Sequence, residues 1–232
     1  MTSPVPPQQL EALKQCDTCS VANAIETFKV RLRNEGFTDG RLRPLISHKQ
    51  PMVGYAVTVR MKSSNPPAEG RVYSDRSGWL NYIQSQPTPR VMVIEDVDEQ
   101  PCASSFAGAS HANIWKALGC VGIVTNGALR DLPLLEETGL HVYASALVPS
   151  HGFAHIVDFG HPVRIAGLDI ASGDLLHGDV HGIVSVPTEV VDRIPAECAA
   201  MLEREQRIVN LCRSKDFSVG KLGEVLQQQS GS

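Results

Sequence analysis

The stretch GCVGIVTNGALRDLP, residues 119–133, decides the fold class because it changes from a strand pattern to a helix pattern. Its first six residues are apolar and predict a buried strand, whereas the segment that follows, LPLLEETG, predicts a short helix ending at glycine. Asn126 and Gly127 predict a tight turn between the two. Because α/β proteins place ligands at the turns that follow strands, Arg130 and Asp131 are candidates for a functional site.

Arg130 and Asp131 have two interpretations. Adjacent opposite charges can form a surface ion pair, and an aspartate near the start of a helix can cap it. Alternatively, a ligand site at the turn uses both side chains. The residues alone leave both interpretations open.

Composition limits the class of protein. With 232 residues and 42% hydrophobic residues, the chain is long enough to bury a full core. Its net charge of −4 gives no general attraction to nucleic acid or anionic membranes, so neither is expected as a partner. No apolar run approaches the roughly 20 residues of a membrane helix. The N-terminus MTSPVPPQQ has no apolar signal-peptide region, and we expect a cytoplasmic protein.

Short strands interleaved with helices predict a single α/β domain over residues 1–232. An N-terminal helix is predicted over about 10–31, a central helix over 105–118 and a C-terminal helix over about 188–213. Residues 227–232 predict a disordered tail. The predicted strands are 53–60, 90–95, 121–125, 141–147, 163–167, 174–177 and 183–186.

Two of the six cysteines, Cys16 and Cys19, have the C-x-x-C spacing of a redox or zinc site. The chain lacks the second close pair of cysteines that would complete a four-ligand zinc site. A thioredoxin-like motif follows a strand, whereas Cys16 and Cys19 stand at the start of a helical pattern. Packing at the start of a helix is therefore the favoured interpretation.

Four segments together resemble the RraA-like family. That family includes metal-dependent 4-hydroxy-4-methyl-2-oxoglutarate aldolases, oxaloacetate decarboxylases and the regulator of ribonuclease activity. The most specific feature is a glycine turn at Gly108 followed about twenty residues later by Arg130 and Asp131. The segments are CDTCSVANA (16–24), FAGASH (106–111), residues 119–131 and SGDLLHGDVHGIVSVP (172–187).

The resemblance implies a single-domain α/β sandwich around a mixed sheet, with a β/β/α arrangement like that of phosphohistidine swivelling domains. It also implies self-association as a homotrimer or a hexamer. We expect the apolar positions of the C-terminal helix to dock against the body or a neighbouring subunit. These positions are Ile194, Met201, Ile208 and Leu211.

The same resemblance implies a divalent-metal-dependent carbon–carbon lyase acting on a 2-oxo acid that contains pyruvate. The reaction is retro-aldol cleavage or decarboxylation of oxaloacetate, with Arg130 and Asp131 as catalytic residues. Asp131 would hold Mg²⁺ or Mn²⁺, and Arg130 would grip the substrate carboxylate. Backbone amides of four residues would also bind the substrate at the opening of a helix. These four are Gly108, Ala109, Ser110 and His111.

One departure from the family concerns the position after the turn glycine, where aldolases often have an acid that positions a water. Here it is Ala109, and His111 is an alternative group that titrates near neutrality. A Schiff-base mechanism would need a lysine, but Lys116 is expected to be a solvated helix residue. The alternative function is a non-catalytic regulatory protein resembling the regulator of ribonuclease activity.

The remaining candidates are histidines and glutamates. His151 and His155 have the i, i+4 spacing of two ligands on one helix face, but no glutamate follows the first histidine as in zinc proteases. His177 and His181 bracket a Gly-Asp pair, and a histidine metal site is the less favoured interpretation. Glu203 or Glu205 could approach a neighbouring subunit's site, as a glutamate of this region does in the aldolases. A solvated face with i, i+4 charge pairs is the alternative.

Overall fold

One mixed β-sheet organises the computed structural model, which describes residues 4–67 and 76–230. The strands are β1 Arg43–Ile46, β2 Met52–Lys62, β3 Arg90–Asp96, β4 Ser105–Ala107, β5 Cys120–Leu129, β6 His141–Leu147, β7 His155–Phe159, β8 Val163–Ile165, β9 Leu168–Ile170, β10 Leu175–Asp179 and β11 Gly182–Val186. The main path is β1-β6-β5-β3-β2-β10-β11, with β4 added to β5 and β7 added to β2. Strands β8 and β9 form a separate hairpin.

Helices pack around this sheet, and the last two of them form the C-terminal part of the chain. They are α1 Pro7–Leu13, α2 Thr18–Phe28, α3 Arg76–Ser85, α4 Ala109–Ala117, α5 Leu132–Glu136, α6 Ile194–Arg213 and α7 Val219–Ser230, with a 3-10 turn at Thr188–Val190. Within the described residues, none of these helices combines the length and apolar character that a membrane crossing requires.

The centre of the sheet consists of β2, β3, β5 and β6, which pair in parallel. Their apolar runs are buried on both faces, as parallel strands covered by other elements require. β10 and β11 continue the sheet in antiparallel pairing. This arrangement confirms the predicted α/β fold with a mixed sheet.

The predicted N-terminal helix over about 10–31 is wrong in its continuity, because the structure has two helices there. A turn ending at Cys16 separates α1 from α2. The side chain of Asp17 accepts the Ser20 amide at 2.9 Å and starts a new helix as its N-cap. α2 then ends at Phe28, because Lys29 adopts the left-handed conformation with φ 54°.

The predicted helix over 105–118 begins later than expected. Ser105–Ala107 is strand β4, which pairs with β5 opposite Ala128 and Leu129. The Ser105 amide also donates to the Ser150 carbonyl at 2.8 Å. Tertiary pairing therefore overrides the helical spacing of these residues, and Gly108 becomes the residue from which α4 starts.

The C-terminal predictions need two corrections. The helix predicted from about 188 begins at Ile194, with Pro195 in its first turn, where the missing amide has no cost. The predicted disordered tail over 227–232 is helical up to Ser230 as part of α7, and residues 231–232 lie outside the described residues. Of the four expected docking positions, Ile194 is buried, whereas Met201, Ile208 and Leu211 are half-buried.

The strand predicted over 163–167 is also corrected. It ends at Ile165, and a turn returns the chain as β9. Ala166 and Gly167 form this turn with φ values of 45° and 87°. Since left-handed backbone cannot continue a strand, the chain reverses there.

Candidate functional site

Strand β5 carries the candidate residues to the edge of the sheet, and it is longer than predicted. Asn126 and Gly127 lie inside β5, so the tight turn expected there is wrong. The Asn126 amide group accepts the Asp96 N–H at 2.7 Å and donates to the Asp96 carbonyl at 3.0 Å. These two bonds hold the irregular part of β5 against the end of β3. The turn is consequently displaced to Arg130 and Asp131.

Arg130 and Asp131 form the turn between β5 and α5. The Arg130 amide donates to the Ala107 carbonyl at 3.2 Å, which ties the turn to β4. Asp131 has φ 61°, and its carbonyl accepts the first amides of α5, from Leu134 and Leu135. Asp131 is the N-cap residue of α5, but its side chain makes no capping bond to that helix.

The Asp131 side chain is directed instead at the start of α4. Its Oδ2 accepts the Ala109 N–H at 3.1 Å. An anionic oxygen at this place is favoured by the unpaired amides and by the dipole of the helix start. The Ala109 amide, expected to bind substrate, therefore positions Asp131, while Oδ1 of Asp131 has no hydrogen-bond partner among the described residues.

Gly108 allows this approach because it has no side chain. A Cβ atom at this position would overlap the Asp131 carboxylate and lie 3.1 Å from Cγ and 3.2 Å from Nε of Arg130. The backbone of Gly108 is extended, with φ −144°. The requirement for glycine is thus one of space and not of backbone conformation.

Arg130 and Asp131 are also an ion pair, but a loose one. Arg130 Nε lies 3.8 Å from Asp131 Oδ2, and the two side chains are 36% and 38% exposed. Pairs of this exposure contribute little to stability. The terminal guanidinium nitrogens of Arg130 have no partner within residues 4–67 and 76–230, so they are available to a ligand.

The first turn of α4 completes the site. Ser110 is exposed, and the His111 ring lies 5.5 Å from the ring centres of both Phe106 and Trp115. Ser110 and His111 line a cleft of about 310 Å³ beside the turn. The structure therefore brings all the predicted site residues together and adds an aromatic cleft that the sequence interpretation missed. The i, i+4 pair of His111 and Trp115 is the one local signal that could have indicated it.

Sequence comparison assigns the family. The RraA-like family model, described as Aldolase/RraA, matches residues 18–185. The chain belongs to the RraA-like family.

Individual relatives are distant. Protein DlpA of Legionella pneumophila is 22% identical over 206 residues, which cover 87% of this RraA-like chain but only 31% of DlpA. A Halalkalibacterium halodurans protein named "Putative 4-hydroxy-4-methyl-2-oxoglutarate aldolase" is 25% identical over 63% of this chain and 64% of its own length. The crystal structure of Streptomyces coelicolor RraAS2, an unusual member of the RNase ES inhibitor RraA protein family, has 19% identity. It matches with a TM-score of 0.70 and covers 89% of this chain and 98% of that one, which supports the fold.

A metal ion would find one carboxylate in this RraA-like turn. In the described part of the chain, no three His, Cys, Asp or Glu side chains are grouped closely enough to hold a metal by themselves. A zinc site needs three or four protein ligands, whereas Mg²⁺ commonly uses one or two carboxylates with waters and substrate oxygens. The free Oδ1 and partial exposure of Asp131 fit the second kind of site.

The predicted helix face with His151 and His155 does not form. His151 lies in a loop and its Nδ1 donates to the Gly152 carbonyl at 2.9 Å. His155 begins β7, and its Nδ1 donates to the Phe153 carbonyl at 2.7 Å. Local backbone contacts, and not a helix, set the positions of both rings.

His177 has a structural role. It is fully buried in β10, with Nε2 3.1 Å from the Leu13 carbonyl and Nδ1 3.0 Å from the Thr18 hydroxyl. The Leu13 carbonyl can only accept, so Nε2 carries a proton and donates; burial favours the neutral ring, in which Nδ1 accepts from the Thr18 hydroxyl. Burial lowers the pKa of His177. Asp179 adds a bond from the Thr18 amide at 2.9 Å, so the 172–187 segment anchors α1 and α2 to the sheet.

Cys16 and Cys19 lie on either side of the residue at which α2 starts, in agreement with the interpretation that they belong to a helix start. Cys16 is buried in an apolar cluster that also contains Cys198, whereas Cys19 is exposed. The six cysteines, all within the described residues, are free thiols.

Two further predictions concern charged residues on helices. Lys116 is exposed in the last turn of α4, as expected of a solvated residue. Glu203 and Glu205 are exposed on α6, and neither forms an ion pair with a described residue. The ion pair of this helix joins Arg204 to Glu197 at 2.9 Å, so the expected i, i+4 pairing is absent from the described residues. Whether either glutamate approaches a neighbouring subunit stays a prediction.

Proposed function

We propose that this RraA-like chain is a divalent-metal-dependent carbon–carbon lyase acting on a 2-oxo acid with a pyruvate unit. One observation carries the proposal: the Arg130 guanidinium, the Asp131 carboxylate and the start of α4 converge at a single turn. The turn therefore places a group that can bind an anion beside a carboxylate that can bind a cation. A 2-oxo acid bound to a divalent cation needs both.

Arg130 is proposed to bind the substrate carboxylate. Its terminal nitrogens are unpaired in the described part of the chain, and a planar guanidinium matches a carboxylate with two parallel bonds. The Ser110 amide, also without a described acceptor, adds a donor at the helix start. Together they orient the 2-oxo acid and place positive charge where the enolate develops.

Asp131 is proposed to hold Mg²⁺ or Mn²⁺ through Oδ1, while the Ala109 amide fixes Oδ2. The bound ion would supply Lewis-acid stabilisation of the pyruvate enolate left when the carbon–carbon bond breaks. Gly108 contributes by leaving room for the carboxylate in this position.

Proton transfer distinguishes the two possible reactions. Retro-aldol cleavage needs a base for the substrate hydroxyl, and Ala109 offers no ionisable group. His111 is the titratable side chain in the first turn of α4. Decarboxylation releases carbon dioxide without that proton transfer, but it needs a second carboxylate on the substrate, so the two reactions differ in what they require of the site and of the substrate.

The alternative function is a non-catalytic regulator. The similarity in fold to the Streptomyces coelicolor RraAS2 protein is the reason to test it. A regulator uses its surface and requires no turnover at Arg130 and Asp131. Measuring pyruvate release with Mg²⁺, with Mn²⁺ and with a chelator therefore separates the two functions. A panel of oxaloacetate and 4-hydroxy-2-oxo acids covers both reactions.

Two substitutions test the assignment of roles. Asp131→Asn keeps the left-handed backbone that asparagine tolerates and removes the charge, so we expect metal-dependent turnover to disappear. Arg130→Lys loses the two-bond fork, so substrate affinity and turnover should fall by about tenfold to a hundredfold while Mn²⁺ affinity changes little.

The exposed ion pair of Arg164 and Asp169 supplies matched controls, Arg164→Lys and Asp169→Asn. Wild-type turnover and metal dependence in Asp131→Asn would contradict the metal assignment. If Arg130→Lys binds Mn²⁺ more weakly but keeps wild-type kinetics, then Arg130 and Asp131 act as a structural ion pair.

A further inference from the structure

The cleft beside the turn has apolar walls. Trp79, Phe106 and Trp115 are each at most 5% exposed and form its interior. Leu80 and Ile114 form its rim and are 39% and 47% exposed. An exposed apolar rim over a buried aromatic interior is typical of a binding cleft and exceeds what packing requires.

Charged side chains are absent from the described lining of this cleft, and Ser110 and His111 are its polar residues. Among the described lining residues, a carboxylate entering the cleft would lose hydration without gaining a lysine or arginine partner, which is unfavourable. An aliphatic or aromatic group would instead replace water against apolar walls.

The cleft adjoins the proposed substrate turn through the first turn of α4. Ser110 and His111, which line the cleft, directly follow Ala109, and the Ala109 amide holds Asp131. A ligand whose 2-oxo acid end lies at Arg130 and Asp131 would direct its remaining atoms past Ser110 and His111. The volume of about 310 Å³ is at the lower end of the range for small-molecule pockets and suits a branched alkyl group or one phenyl ring.

We infer that this cleft binds the tail of the substrate and selects 2-oxo acids with an apolar tail over those with a second carboxylate. The inference rests on the proposed function, since it places the 2-oxo acid end at the Arg130–Asp131 turn. It separates this chain from an aldolase for 4-hydroxy-4-methyl-2-oxoglutarate, whose substrate ends in a second carboxylate.

Binding without turnover tests the inference directly. Calorimetry with Mg²⁺ compares 4-methyl-2-oxopentanoate with 2-oxoglutarate, which has a tail of similar length ending in a carboxylate. We expect at least about tenfold tighter binding of the apolar acid. The two tryptophans of the chain both line this cleft, so their fluorescence should change with the apolar acid.

Ile114→Lys places a cation on the rim without removing a buried side chain, and Leu32→Lys is the matched control at an exposed leucine outside α6 and α7. The first variant should lose the preference for the apolar acid by about tenfold or reverse it, and the control should keep it. Equal affinities in the wild type, tighter 2-oxoglutarate binding, or no binding of either acid would overturn the inference. A smaller assembly mass for Ile114→Lys in light scattering would also overturn it, because a second copy would then cover the cleft.

A parallel pyruvate-release assay separates this inference from the proposed function. It uses 4-hydroxy-2-oxo acids ending in phenyl or in carboxylate. Binding preference with no release from any substrate would support the cleft assignment and remove the lyase. Efficient cleavage of the carboxylate-ended substrate without a binding preference would retain the lyase and overturn the cleft assignment.

Discussion

At the scale of single residues, a side chain at position 108 would occupy the space that holds the Asp131 carboxylate and part of Arg130. Gly108→Ala should therefore displace both groups and lower metal-dependent pyruvate release by at least about tenfold. The extended backbone accepts alanine, and both displaced side chains can turn towards solvent. We expect the free energy of unfolding to change by about 1 kcal/mol or less, measured by urea denaturation.

Gly40→Ala is the control for that substitution, because a Cβ atom there meets no atom within 4 Å. It should retain wild-type turnover. Full activity in Gly108→Ala would mean that the observed position of Asp131 is not needed for the reaction.

At the scale of secondary structure elements, the start of α2 depends on one side chain. Asp17 accepts the Ser20 amide at 2.9 Å and the Ser20 hydroxyl at 2.6 Å. Asp17→Ala should lower the free energy of unfolding by about 1 kcal/mol, the usual effect of losing such a cap. Urea denaturation at pH 7 measures the change.

Asp192→Ala is the corresponding control, since Asp192 is exposed and has no hydrogen bond to the described residues. It should leave the urea midpoint unchanged. A loss of equal size in both variants would show that the cap contributes nothing specific.

The elements that sequence predicted well are those set by apolar periodicity. β3 reads as a continuous apolar run, because it is buried on both faces between parallel neighbours. The errors lie where a single side chain or a distant partner decides a boundary. Asn126 extends β5 by bonding to Asp96, and β4 exists because β5 lies beside it. Neither contact leaves a periodic signal in the local sequence.

In the candidate site, too, the residues set by local sequence were predicted and those set by distant contacts were not. Arg130 and Asp131 are neighbours at the end of an apolar strand, so local sequence and family resemblance together indicated them. The aromatic cleft combines Trp79 of α3 with Trp115 of α4, and strands β3 and β4 lie between these two helices along the chain. Only the tertiary packing brings those helices together, and no spacing in the sequence predicts it.

At the scale of the whole molecule, buried histidines make stability depend on pH. His141 is 7% exposed, its Nδ1 has no hydrogen-bond partner among the described residues, and burial lowers its pKa to about 4. The unfolded chain has a histidine pKa of about 6.5. As pH falls from about 6.5 to 4 the unfolded state takes up the proton first, so the free energy of unfolding should decrease. The lowered pKa of His177 acts in the same direction.

His141→Phe should flatten this pH dependence, because the variant has no proton to bind at that position. Urea midpoints at intervals between pH 7 and pH 4 measure the slope. His161→Phe changes an exposed histidine and should keep the wild-type slope. An unchanged slope in His141→Phe would assign the acid sensitivity to other groups.

Assembly is a further property of the whole molecule, and we propose a trimer or a pair of trimers, as the family resemblance implies. α6 and α7 present exposed apolar side chains such as Leu202 and Val219, at 62% and 80%. Such side chains would gain from burial between subunits. Light scattering at micromolar concentration measures the mass, and a strictly monomeric value would count against the proposal.

The anchoring of α1 and α2 by His177 and Asp179 has a consequence for biosynthesis. Leu13 and Thr18 leave the ribosome before their partners on β10, which are made about 160 residues later. Until then β2 supplies only part of the surface on which both helices dock, and the rest of their apolar faces is open to chaperones. Both helices are therefore translated well before most of the surface on which they dock, and closing so distant a contact slows folding.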